Sequence, residues 1–155
     1  MVPHTYLANI ILVVAAAVLF HAAVTDLKNY KIRNETILLL VSLFVLHALA
    51  SGRWVDAGWN IGLAAIVFAF LVYFYSCGWM GGGDVKILTV ALLWTGIDCA
   101  LVFATLLFVF ASLHALAVRL GLTGSGDERR RIAFAPSVAA ALIAVFMLGC
   151  LQPVT

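Results

Sequence analysis

Charge is what this sequence has least of. Only 10% of its 155 residues are Asp, Glu, Lys or Arg, where soluble domains carry roughly a quarter. That shortage excludes an ordinary water-soluble globule. Lys and Arg are missing from the opening MVPHTY and follow the first apolar run instead of preceding it, which argues against a cleaved signal peptide. Cysteine is limited to Cys77, Cys99 and Cys150, with no CxxC spacing. Neither a zinc site nor a disulfide framework is suggested, and the three read as apolar fillers. No internal repeat or second domain is visible. Residues 1–155 therefore read as a single membrane-embedded domain.

What is there in quantity is hydrophobic: 65% of the chain. A bilayer core of about 30 Å takes about 20 apolar residues per spanning helix. Six runs approach this: Tyr6 to Val24, Thr36 to Ala50, Ile61 to Trp79, Val85 to Thr95, Ile97 to Val118 and Ile132 to Leu151. They are continuous, without the alternation of a membrane strand, so the class is all-α, a polytopic bundle of six transmembrane helices. Cytoplasmic loops are enriched in Lys and Arg. Lys28, Lys31, Arg33, Lys86, Arg119, Arg129, Arg130 and Arg131 all fall on one side of such a bundle, and Arg53 falls on the other. Both termini are then extracytoplasmic. This bias accounts for the net charge of +2, and no nucleic-acid partner is implied. The segment from Gly121 to Arg131 reads as a flexible cytoplasmic loop.

Seven carboxylates remain to be explained. Asp56, Asp98, Asp127 and Glu128 sit in loops, and Glu35 caps or pairs at the start of the second helix. Asp26 and Asp84 differ, because each lies at the cytoplasmic end of an apolar helix, where an ionisable group suggests function. Asp26, near a helix C-terminus, opposes the dipole of its own helix, so local stability does not explain it. Asp84 opens a helix and is a plausible cap. Its helix, Val85 to about Thr95, is only about 16 Å long at 1.5 Å per residue, too short for the bilayer core. Two carboxyls within hydrogen-bond reach share a proton and titrate as a pair. Such a dyad supplies what peptide hydrolysis needs, one carboxylate accepting a proton from the attacking water while its partner donates one. Just before Asp84 stand Gly81, Gly82 and Gly83. Without a Cβ they can adopt positive φ, turn tightly and let a substrate chain come close to the backbone.

The pair "GGGDVK" and upstream "DLKNYKIRN" resembles the type IV prepilin peptidases, the GxGD class of intramembrane aspartic proteases, over essentially the whole chain. The resemblance implies six helices, Asp26 and Asp84 as the catalytic pair, and Gly81 and Gly83 as the motif glycines. It implies prepilin or pseudopilin substrates, cut at the cytoplasmic face of the bacterial inner membrane between a basic leader and a hydrophobic helix. Family members commonly carry Ile-Pro-Asn where this chain has Ile32-Arg33-Asn34. The amino-terminal methyltransferase region of long members, with its paired CxxC motifs, has no counterpart here. Cleavage without methylation is expected, as in the short peptidases of tight-adherence (Flp-type) pili. Pro136 resembles a family proline.

Water is the nucleophile in this reading, so no cofactor is needed. His21, His47 and His114 lack ligand spacing and no metal is assigned. His21 is about 140° around the helix from Asp26 and points elsewhere. Lys86 is expected to snorkel to the interface, and Trp54, Trp59, Trp79 and Trp94 to form interfacial belts. Two alternatives stand beside the peptidase: a small proton- or cation-coupled transporter using the paired aspartates, and a noncatalytic pilus or secretion assembly subunit. A transporter should hold its carboxylates near the midplane, whereas both lie at one end here.

Overall fold

A computed structural model describes residues 3–29, 33–120 and 134–149. Its regular structure is entirely helical: α1 (Pro3–Asn29), α2 (Asn34–Ser51), α3 (Trp54–Ser76), α4 (Gly82–Arg119) and α5 (Ala135–Met147). The first four are long and apolar enough to cross a membrane, and α5 is a shorter apolar helix. The charged loop from Gly121 to Arg131 lies outside the described residues, as does Cys150.

The six apolar runs thus appear as five elements. The fourth and fifth are joined in α4, whose 38 residues are interrupted at Gly96, with φ 61° and ψ −167°. That backbone region is essentially closed to any residue with a side chain. Space adds a second constraint, because a Cβ at position 96 would run into the amide group of Asn60. The interruption falls at the boundary between Thr95 and Ile97 that separates the two apolar runs.

Packing follows from which faces are small. The buried stripe of α1 runs Ala8, Ile11, Ala15, Leu19, Ala22 and Asp26, the i, i+3, i+4, i+7 spacing of one helical face. Its alanines let another helix approach closely, the usual basis of packing where lipid removes the hydrophobic drive. That neighbour is α5, which packs against both α1 and α4. Ala135, Val138, Ala141, Leu142 and Val145 of α5 have no solvent exposure at all. The shortest helix is therefore the most enclosed, held between the two that carry Asp26 and Asp84. Outside it, α2 lies on α1, and α3 on α4.

Trp94 departs from the interfacial expectation. It is 1% exposed, packed edge-on to Phe44 and against His47 and Phe146. Its indole N–H donates to the Leu40 carbonyl at 3.2 Å, so burial leaves no orphaned donor. Trp54, Trp59 and Trp79 are exposed, as the belt reading requires. The cysteines also need correcting. Cys99 is disulfide-bonded and Cys77 is free and exposed, so neither is simply a filler. Spacing along the chain reveals local motifs and is silent on pairings made across a fold.

Candidate active site

The turn that delivers Asp84 begins at the end of α3. The Trp79 N–H bonds the Phe74 carbonyl and the Gly78 N–H bonds the Tyr75 carbonyl, at 3.1 and 3.0 Å. With Gly78 at φ +75° this is a Schellman motif, and the accompanying apolar contact is the stack of Phe74 on Trp79. The left-handed residue is thus Gly78. The expectation of positive φ at Gly81, Gly82 and Gly83 is not met, since none of them is among the positive-φ glycines. Gly81 is extended (φ −76°, ψ 143°) and serves as the N-cap of α4, while Gly82 and Gly83 form its first turn.

What these glycines provide is room. Asp84 leans back on Gly81, and a Cβ at position 81 would stand 3.1 Å from its Oδ2. A Cβ at position 82 would stand 3.3 Å from the ring of Tyr75, which lies across the start of the helix. Asp84 is half-buried in the first turn of α4, where the helix N-terminus favours negative charge. Lys86 does not simply snorkel. Its Nζ donates to Asn34 Oδ1 at 2.8 Å, fastening the start of α4 to the start of α2. Glu35 pairs with Arg33 at 2.6 Å, in line with its expected role.

Asp26 is 6% exposed and has a partner that the dipole of its own helix does not disclose. Its Oδ2 accepts the Ala135 N–H at 3.2 Å. Ala135 is the first residue of α5, whose N-cap position is Phe134, without a capping side chain of its own. Ser137 and Val138 return their N–H groups to the Phe134 carbonyl, and Pro136 has none to place. Asp26 thereby satisfies the amide that would otherwise be orphaned at this helix start. The carboxylate that works against α1 works for α5. The signal was in the sequence, since a proline in the first turn marks a helix beginning.

Asp26 and Asp84 lie on helices that both pack against α5. Asp26 is near enough for its charge to act on Asp84, and the α5 N-terminus stands beside Asp26. One amide N–H occupies only part of a carboxylate's roughly four acceptor positions, which leaves capacity for water and a shared proton. Both helices that begin here are short: the first segment of α4, Gly82 to Thr95, is about 21 Å long and α5 about 20 Å, at 1.5 Å per residue. Among the described residues no group of three His, Cys, Asp or Glu is arranged to hold a metal ion.

At the far end of the bundle, His47, Arg53, Asp56, Asn60, Asp98 and Cys99 line a small cavity of about 50 Å³ beside the Gly96 interruption. Arg53 and Asp56 pair there at 2.7 Å. His47 is packed against Trp94.

Residues 13–151 match the type IV leader peptidase family. The chain is 33% identical over 144 residues to a prepilin leader peptidase/N-methyltransferase of Bacillus subtilis (strain 168), an overlap of 88% of this chain and 55% of that protein. It therefore spans about half the length of that relative. No solved structure matches. With the family match running over nearly its entire length, the chain belongs to the type IV leader peptidase family.

Proposed function

We propose that this protein is a membrane aspartic endopeptidase that removes the basic leader from prepilins or pseudopilins, with Asp26 and Asp84 as the catalytic dyad. The observation that supports the reading is that Asp26, held at the start of α5, is near enough for its charge to act on Asp84. In the proposed reaction water adds to the scissile carbonyl carbon as one carboxylate takes its proton. The partner carboxyl gives its proton to the amide nitrogen as the C–N bond breaks, and the pair is ready again once one proton is redistributed. Gly81, Gly82 and Gly83 offer open backbone beside Asp84 for an extended substrate segment.

We place the dyad at the cytoplasmic face of the inner membrane. Two features support that orientation. Along the sequence, eight of the nine Lys and Arg residues fall on the Asp26 and Asp84 side of a six-span chain, and the disulfide-bonded Cys99 lies at the other end, suited to an oxidising exterior. A continuous α4 would extend about 57 Å, nearly twice the bilayer core. Gly96 is the place to reverse it, and Leu106, Leu107 and Phe110 beyond the interruption pack against the same core. Six spans with both termini outside follow.

The direct test is co-expression with a candidate prepilin, followed on a gel. Conversion of precursor to mature pilin is expected, and purified protein in lipid nanodiscs should cleave a leader-bearing peptide without added metal or nucleotide. Persistence of the precursor in both formats excludes the proposal. A second expectation concerns Gly81→Ala. Its Cβ displaces the Asp84 carboxylate by a few tenths of an ångström while leaving the helix start intact. Peptidase activity should fall by up to about 10²-fold with the melting temperature unchanged.

A further inference from the structure

A second cavity opens on the outer side of the bundle, between α1 and α2. Its shaft is apolar, walled by Val13, Val14, Ala17, Val18 and Leu39, and its volume is about 510 Å³. His21, Arg33, Glu35 and Thr36 form its polar end. On α1 this surface is turned away from the buried stripe that holds Asp26, with Val13 70% and Val14 42% exposed. It faces the bilayer and is not part of the dyad.

Its extent identifies what fits. From Val13 to His21 the groove follows α1 for about 12 Å at 1.5 Å per residue, close to the depth of one leaflet, which is about half of the 30 Å core. A partner transmembrane helix would need a seam through both leaflets. An acyl chain needs one. The polar end then stands at headgroup level. There the Arg33 and Glu35 side chains are 67% and 77% exposed, and so exposed an ion pair contributes little to stability. Each partner is free to turn to an outside ligand. Arg33 suits a phosphate, which a guanidinium grips through two N–H bonds, and Glu35 beside it suits a cation that can donate hydrogen bonds. A glycerol headgroup brings no cation to Glu35, and a choline nitrogen has no N–H.

We propose that the α1–α2 groove is a binding site for a phospholipid with a primary ammonium headgroup, its phosphate on Arg33, its ammonium on Glu35 and one acyl chain along Ala17 and Leu39. Protein reconstituted in nanodiscs with equal amounts of phosphatidylethanolamine and phosphatidylglycerol, then re-extracted in mild detergent, should retain the ethanolamine lipid several-fold over the glycerol lipid by mass spectrometry. Ala17→Trp fills the shaft and should abolish that enrichment, whereas Ile66→Trp on the exposed face of α3 should not. Glu35→Gln, outside the membrane core and harmless to folding, should reverse the preference toward phosphatidylglycerol. Retained lipid of bulk composition in the unaltered protein, enrichment that survives Ala17→Trp, or a preference indifferent to Glu35→Gln would each overturn the assignment. Displacement of the lipid by added prepilin would overturn it too, marking the groove as a substrate path.

Discussion

Asp26→Asn is expected to yield a folded membrane protein that no longer processes prepilin. The substitution keeps a side-chain oxygen where Ala135 donates its N–H, so the start of α5 stays satisfied while proton exchange with water is lost. A drop of at least about 10²–10⁴-fold in cleavage rate is the scale for removing a general acid–base group. Asp26→Ala should behave differently, because it also leaves a buried amide without a partner. That variant should lose activity and about 1–3 kcal/mol of stability as well, read as a lower melting temperature in detergent. Asp84→Asn should match Asp26→Asn in activity, and the double Asn variant should be no worse than either single one, since groups acting as a unit are not additive. Normal processing by both single Asn variants would remove the dyad, and equal melting of Asp26→Asn and Asp26→Ala would remove the capping role.

The second large effect lies at the opposite end of the bundle. Gly96→Ala demands a backbone conformation that non-glycine residues essentially do not enter, at a cost of about 1–3 kcal/mol. It also forces the new methyl group into Asn60. The chain must either shift α3 from α4 or straighten α4, and both displace Asp84. Folded yield and melting temperature should drop steeply and cleavage with them. Pairing the change with Asn60→Ala separates the causes: the steric part should be relieved while the backbone part persists, a coupling that a double-mutant cycle measures. A Gly96→Ala protein of normal stability and activity would show that the interruption is not required.

Asp26 and Asp84 stood out in the sequence because charge in an apolar chain is conspicuous, and the approximate places of the helices because hydropathy pauses where helices end. Even the interruption of α4 was marked, by a glycine between two apolar runs. What could not be read were relations between distant segments. Asp26 seemed unfavourable when judged against its own helix, and only the packing of α5 supplies the amide that it holds. Trp94 was assigned to the interface by its place near a helix end, but Phe44, His47 and Phe146 converge on it from two other helices. The glycine triplet was credited with the turn that Gly78 makes three residues earlier, since sequence alone does not say which glycine takes positive φ. The disulfide of Cys99 is likewise a tertiary fact.

The enclosure of α5 bears on how the fold comes into being. Thirteen residues are at the margin for a helix standing alone, so this segment owes its order to the neighbours already in place. It is also synthesised after α1 to α4. Until it docks, the Asp26 carboxylate lacks the Ala135 amide and α1 and α4 lack the helix that both pack against. The order of the Asp26 end of the bundle is in this way tied to the synthesis of α5.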